Sequence, residues 1–139
     1  MQLIAIWQGI HVVDDAKCSS LTALAAAVAG YSGRKHIIAG GLLKEKDPGL
    51  IKQILVRHDV VVYLIGEAAP VLYDAWHESI QCEKCGTLER AVPLALERAK
   101  AGERVLFSPG CASFDQFSGY DARGKKFRQL VQECTGQSC

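Results

Sequence analysis

Residues 59–65, DVVVYLI, constrain this chain more than any other stretch. After Asp59 the run is apolar without a break and rich in β-branched side chains, whereas a strand with one wet face alternates. Such a strand is covered on both sides, and a parallel sheet with helices on either face is the common way to cover it. The flanking sequence agrees. Short apolar runs at 36–39 and 105–107 read as further strands, and 79–82 as a shorter one. Between them lie stretches of helical period: Leu21, Leu24, Ala25 and Val28; Leu50, Ile51, Ile54 and Leu55; Val71, Leu72, Ala75 and Trp76; Leu88, Ala91, Val92, Ala95, Leu96 and Ala99; and Phe127, Leu130, Val131 and Cys134. Pro93 falls inside the fourth pattern, which predicts a kink or a helix that begins later than Thr87. Runs at 3–7 and 10–13 around Gln8-Gly9 predict a small N-terminal hairpin. The expected fold is α/β, a mostly parallel sheet with helices on both faces, in one domain over 1–139.

Local signals set the helix starts. Ser19 or Ser20 can accept a hydrogen bond from a free backbone N–H and cap the first helix. Asp47-Pro48 pairs an N-cap acid with a proline at the first helical position, where its missing N–H costs nothing.

Composition narrows the function classes. A net charge of +1 with no basic block leaves no footprint for nucleic acid. No apolar run reaches the roughly 18 residues of a membrane span. The opening MQLIAIWQG lacks a basic n-region, and six cysteines without an export signal fit reduced thiols in a cytoplasmic protein.

Residues 108–124, SPGCASFDQFSGYDARG, follow a strand and precede a helix. Connections in α/β units run about 2 to 6 residues, and longer ones are often functional. In a parallel sheet the carboxyl ends of the strands share one edge, where ligands sit. Three loops bring chemistry to that edge: Asp14, Asp15, Lys17 and Ser19 after the 10–13 strand; Lys44 after the 36–39 strand; and Ser108, Ser113, Asp115, Gln116 and Tyr120 after the 105–107 strand. Two ammonium groups and several hydroxyls suit a ligand with two carboxylates or phosphates. A lone lysine is more often a solvated surface group, so the weight rests on convergence of the loops.

SPGCASFDQFSGYDARG, a DDAK segment after GIHVV, and GGLLKEKD together resemble the C-terminal domain of the Mur ligases of peptidoglycan synthesis, in the branch that adds D-glutamate. The resemblance covers nearly the whole chain. It implies a Rossmann-like domain that seats the incoming amino acid in an ATP-dependent, amide-forming ligase acting on UDP-N-acetylmuramoyl-L-alanine through an acyl phosphate. Carried over by motif, it implies that Lys44, Ser19 and Ser113 hold the D-glutamate carboxylates, with Tyr120 beside them where the family often has phenylalanine. Lys17 would lie near the phosphate and glutamate, and Asp15 would contact the nucleotide; Lys17 and Lys44 are thus the candidate catalytic residues. The family's UDP-binding and central ATPase domains, which would bind most of the ATP and its Mg, have no counterpart here, and no metal ligand is expected in this chain. The family's Asn-Asp-Ser-Lys-Ala-Thr-Asn stands here as Asp14-Asp15-Ala16-Lys17-Cys18-Ser19-Ser20, and Leu43 stands where glycine is usual.

Two rival readings remain at this point. Cys82-Glu83-Lys84-Cys85 supplies two of the four ligands of a structural zinc, or a thiol pair, with Cys111, Cys134, Cys139 or a histidine needed to complete a metal site. A non-catalytic ligand-binding domain that kept the pocket is the other. Lacking an adjacent histidine base, Cys111 is not expected to be a nucleophile.

Overall fold

Six strands, β1 (Gln2–Trp7), β2 (Ile10–Asp14), β3 (Lys35–Gly40), β4 (Val60–Ile65), β5 (Gln81–Gly86) and β6 (Arg104–Phe107), form one sheet in a computed structural model that describes residues 1–113 and 115–137. The order across the sheet is β1-β2-β6-β3-β4-β5, and every pairing is parallel except β1 with β2. The helices are α1 (Leu21–Ala29), α2 (Lys52–Arg57, entered through a 3-10 turn at Pro48–Ile51), α3 (Ala69–Trp76), α4 (Leu88–Arg98) and α5 (Tyr120–Thr135). The expected α/β architecture is the one observed.

All six residues of β4 are buried, as its unbroken apolar run requires. Val60, Val62 and Leu64 pack with Leu24 of α1, Leu55 of α2 and Leu72 of α3. Val61, Tyr63 and Ile65 pack with Leu88 and Val92 of α4 and Phe127 of α5. Each such side chain contributes about 1.5–3 kcal/mol on leaving water, so the period-2 alternation of one strand holds helices on both faces. The β1–β2 hairpin turns on Gln8 and Gly9, both left-handed at φ 52° and 79°, the pair of angles of a type I′ turn.

Several details differ from expectation. β5 spans 81–86 rather than 79–82. Leu50 is 76% exposed, because it lies in the 3-10 turn, whose tighter winding presents Ile51 to the core instead. Val71 is half exposed; the buried stripe of α3 is Ala69, Leu72 and Trp76. Cys134 is exposed in the last turn of α5, beside exposed Gln132 and Glu133. Thr87 is the N-cap of α4 and Pro93 lies within the helix, so the late start is excluded. Lys35 is the first residue of β3 rather than loop, buried with its ammonium group donating to the carbonyls of Gly33 and His58 at 2.6 and 2.7 Å. Since α5 begins at Tyr120, the long loop after β6 covers 108–119, and Tyr120 to Gly124 are helical.

Candidate functional site

β2 and β6 are neighbours, yet β2 leads into α1 on one face of the sheet and β6 into α5 on the other. Loops that part in this way leave a crevice at the carboxyl edge. The crevice has a rigid rim, knitted mainly by backbone. Leu42 and Ala112 form a two-bond antiparallel bridge, 2.9 Å each way, that joins the β3–α2 loop to the β6–α5 loop. The Gly40 amide donates to Pro109 and the Ala68 amide to Gly41. Gly40 has φ 135°, and a Cβ there would lie 1.9 Å from the Ile65 carbonyl oxygen, so no other residue fits.

Two polar residues of the long loop also serve this rim. Asp115 accepts from the Glu67 amide at 2.9 Å, and Gln116 donates its side-chain amide to the Gly86 carbonyl at 3.0 Å. They fasten the loop to the β4–α3 and β5–α4 connections. Phe114 lies outside the described residues.

Arg123 belongs to the SPGCASFDQFSGYDARG motif, but the sequence alone assigns it no role. It is 1% exposed, and its guanidinium donates to the carbonyls of Cys111 at 2.8 Å, Ala16 at 2.8 Å and Cys18 at 3.4 Å. One side chain of α5 thereby ties the loop after β2 to the loop after β6. Burial holds its pKa below the usual arginine value, yet the planar fork that spans three carbonyls is one only arginine carries. Its Nε is buried with no partner among the described residues. The available signal was an arginine directly before Gly124, where a Cβ would come 3.1 Å from Ala16 and the helix therefore approaches the loop closely.

The predicted site residues fall into two groups on this rim. Lys44 reaches across to Ser19, Nζ to Oγ 3.4 Å. Ser20, not Ser19, caps α1 by accepting from the Ala23 amide at 3.2 Å, which leaves the Ser19 hydroxyl facing Lys44. Glu45, next to Lys44, accepts from the Leu21 amide and holds the Lys44 loop against the start of α1. Ser113 is buried directly after the Leu42–Ala112 bridge, and its carbonyl accepts from the Gln116 and Phe117 amides. Lys44 follows the same bridge by two residues on the other strand, so Lys44, Ser19 and Ser113 are positioned by one set of loop contacts.

Lys17 forms the second group with Tyr120, its Nζ 5.8 Å from the ring centroid. Both line a cavity of about 480 Å³ with Asp14, Asp15, Asp121 and Arg128. Asp15 accepts from the Ser108 hydroxyl at 2.9 Å, and buried Asp14 pairs with Arg128 at 2.5 Å while accepting from the Ala16 amide. Ser19, Lys44 and Ser113 do not line this cavity. The two lysines are exposed, and neither has a carboxylate within ion-pair distance among the described residues.

The cysteine alternative meets a geometric obstacle. Cys82 pairs with Val62 on β4 and packs on the α1–α3 face, whereas Cys85 occupies the register shift before Gly86 and packs on the α4 face. Their sulfurs lie on opposite sides of the sheet, so the CxxC can neither chelate one metal nor close a disulfide without rebuilding β5. Burial pushes the Cys82 thiol up to about 11 and the Cys111 thiol to about 12, which keeps both as poor nucleophiles. Among the described residues no three His, Cys, Asp or Glu side chains are grouped to hold a metal ion. Cys139 lies outside the described residues. No described helix is long and apolar enough to cross a membrane.

Comparison with known proteins decides the family. Over 133 residues the chain is 40% identical to the UDP-N-acetylmuramoylalanine–D-glutamate ligase of Zymomonas mobilis and 35% identical to that of Aquifex aeolicus, covering 95% of this chain in both cases. The ligase of the same name from Ralstonia nicotianae is 39% identical over 132 residues, 94% of the chain. The chain belongs to the Mur ligase family. It spans 30%, 32% and 26% of the length of those three relatives and corresponds to their C-terminal portion. No protein-family model matches it. A solved domain from Haemophilus ducreyi, named for a UDP-N-acetylmuramate:L-alanyl-gamma-D-glutamyl-meso-diaminopimelate ligase, superposes with a TM-score of 0.59 over 94% of this chain and 98% of its own. At 13% identity that likeness speaks for the Rossmann-like fold of a Mur ligase C-terminal domain.

Proposed function

We propose that residues 1–139 are the amino-acid-seating domain of an ATP-dependent ligase that adds D-glutamate to UDP-N-acetylmuramoyl-L-alanine, and that the UDP-binding and central ATPase domains are supplied by chain other than this. The observation that carries the reading is the contact between Lys44 and Ser19 across two loops, 3.4 Å long, beside the bridge that sets Ser113. A carboxylate accepts well from an ammonium group and a hydroxyl held side by side. Lys44 and Ser19 bind one end of the amino acid and Ser113 binds the rest, whereas Tyr120, expected beside them, stands with Lys17 instead. With both carboxylates fixed on a rigid rim, the amine is aimed at the activated acyl carbon, so the chain's contribution is mainly proximity. Lys17 stands near the reacting groups, where an ammonium charge stabilises developing negative charge.

ATP, when bound, supplies the phosphoryl group that activates the muramoyl substrate's carboxylate. The residues here fit only its periphery. The cavity beside Lys17 and Tyr120 sets three carboxylates, Asp14, Asp15 and Asp121, against Lys17, Arg128 and the Met1 ammonium group that pairs with Asp15 at 3.8 Å, so its lining carries no net positive charge to attract a polyphosphate. Asp15 suits a hydroxyl or amino group of the nucleotide instead. On this reading Mg is held with the ATP mainly by the central domain.

The test is an amide NMR titration of this chain with D-glutamate. Saturable shifts at Ser19, Lys44 and Ser113, weakened about tenfold or more in Lys44→Gln, are expected. In a complete ligase carrying this domain, Lys44→Glu raises the KM for D-glutamate about a hundredfold while leaving the KM for ATP within a fewfold. An unchanged D-glutamate response in that enzyme overturns the assignment.

A further inference from the structure

The opposite edge of the sheet carries a second polar site. Near the amino ends of β3, β4 and β5 a cavity of about 300 Å³ opens among Arg34, His36, Tyr63, Arg98, Lys100 and Glu103. Its floor is built from buried groups. Tyr63 is fully buried and His36 is 3% exposed. His36 Nδ1 lies 2.8 Å from the Tyr63 hydroxyl and Nε2 lies 2.7 Å from Glu103 Oε1. A carboxylate can only accept, so Nε2 carries a proton and donates to Glu103; neutral His36 then accepts at Nδ1 from the Tyr63 O–H. Burial pushes the Tyr63 phenol up to about 12, so that proton stays in place across the neutral range. Glu103 also accepts from the Lys100 amide at 3.1 Å, which fixes the turn bearing Lys100 to the floor.

The walls are cationic. Arg34, Arg98 and Lys100 against Glu103 give the lining a balance of +2 with His36 neutral. The partners of the two arginines, Asp59 at 3.0 Å from Arg34 and Glu83 at 2.8 Å from Arg98, do not line the cavity. Both pairs are more than a third exposed, the kind worth only about 0–1 kcal/mol, so a competing anion displaces them readily. Lys100 has no carboxylate within ion-pair distance among the described residues.

We propose that this cavity is a binding site for a small dianionic oxyanion, a phosphate group or its monoester, held by Arg34, Arg98 and Lys100 over the His36–Tyr63 floor. Two guanidinium forks and one ammonium group match three tetrahedral oxygens, and the volume holds a phosphate with a short organic substituent. The site lies at the other end of the strands from Lys17 and Lys44, so it is separate from the amino-acid seat.

The competing account is that Arg98 and Lys100 only offset the negative end of the α4 macrodipole, which requires no ligand. A ¹⁵N and ring-¹³C NMR titration of the whole chain with inorganic phosphate, at constant ionic strength set by chloride, separates the two. The expected result is saturable shifts at His36 and Tyr63, with affinity reduced about tenfold in Lys100→Gln and further in Arg34→Gln/Lys100→Gln. Lys100 is exposed and Arg34 half-buried, and unperturbed spectra of both variants without phosphate establish that the fold is intact. A repeat with glycerol phosphate, expected to bind at least as tightly, distinguishes a monoester site from one for the free ion. No saturable shift at His36 and Tyr63 up to about 10 mM phosphate, equal affinity in the double variant, or shifts confined to the loops of Lys17 and Lys44 would each overturn the proposal.

Discussion

The two edges of the sheet are held together by different means. At the carboxyl edge the main chain does most of the holding: the Leu42–Ala112 bridge, the Gly40–Pro109 and Ala68–Gly41 bonds, and carbonyls gathered by Arg123. At the amino edge side chains do it: Lys35 between two carbonyls, His36 between Tyr63 and Glu103, and Arg104 on the Ser32 carbonyl at 3.0 Å. Where backbone supplies the scaffold, exposed lysines are left to meet a ligand. Where side chains supply it, a change of chemistry is also a change of structure.

The contrast is broken most severely at Gly40. Gly40→Ala places a methyl group on the Ile65 carbonyl in a backbone conformation that alanine resists, and a loss of about 4 kcal/mol or more is expected, read as a failure to unfold cooperatively in urea. Arg123→Met comes next. The Cys111 and Ala16 carbonyls lose their donor while that of Cys18 keeps the Gly110 amide, and the urea midpoint should fall by the equivalent of about 3 kcal/mol, with Arg123→Lys recovering only part because one ammonium group cannot span the set. Lys44→Gln should change stability by less than about 0.5 kcal/mol while weakening D-glutamate, the reverse of the Arg123 pattern. A Lys44 variant that unfolds, or an Arg123 variant that is stable, would dissolve the distinction between scaffold and ligand-binding cations.

Acid probes the amino edge. Burial works to raise the Glu103 pKa, but hydrogen bonds from His36 and the Lys100 amide and the nearby positive charge outweigh it, leaving the carboxyl below its ordinary 4.5. A carboxyl depressed in the folded state contributes stability above its unfolded pKa and loses it as pH falls through the folded value. Stability should therefore drop on acidification below about pH 4.5, and more shallowly in His36→Gln, as thermal melts across pH 2.5–6 would register. The smallest effect concerns the thiols: mild oxidation should leave Cys82 and Cys85 unlinked, because β5 sets them on opposite faces, and peptide mapping would detect any bridge.

The alternation of strands and helices along the chain and both helical layers follow from periodicity in the sequence, because β4 declares that both faces are covered. What the sequence hid are features decided by other parts of the chain. Leu50 fits a helical stripe until the turn at Pro48–Ile51 proves to be 3-10. Cys82 and Cys85 look like a chelating pair until the register on β4 separates them. Asp115 and Gln116 have the composition of a binding loop and are spent on neighbouring backbone. Arg123 shows why such residues escape notice: its partners are carbonyls, which every residue has, so no side-chain pattern announces them. The motifs mark Lys44 and Ser19 separately, and only folding brings these residues, 25 positions apart, into contact.

The Leu42–Ala112 bridge is a miniature antiparallel ladder standing off the end of the main sheet. Along such a ladder one inserted or deleted residue advances the chain by a full pleat and turns the following side chain to the other face. Lys44 and Ser113 thus keep a common gauge only while residues 42–44 and 112–113 keep their count. A single added residue beside the bridge would leave both side chains in place by name and out of step in space.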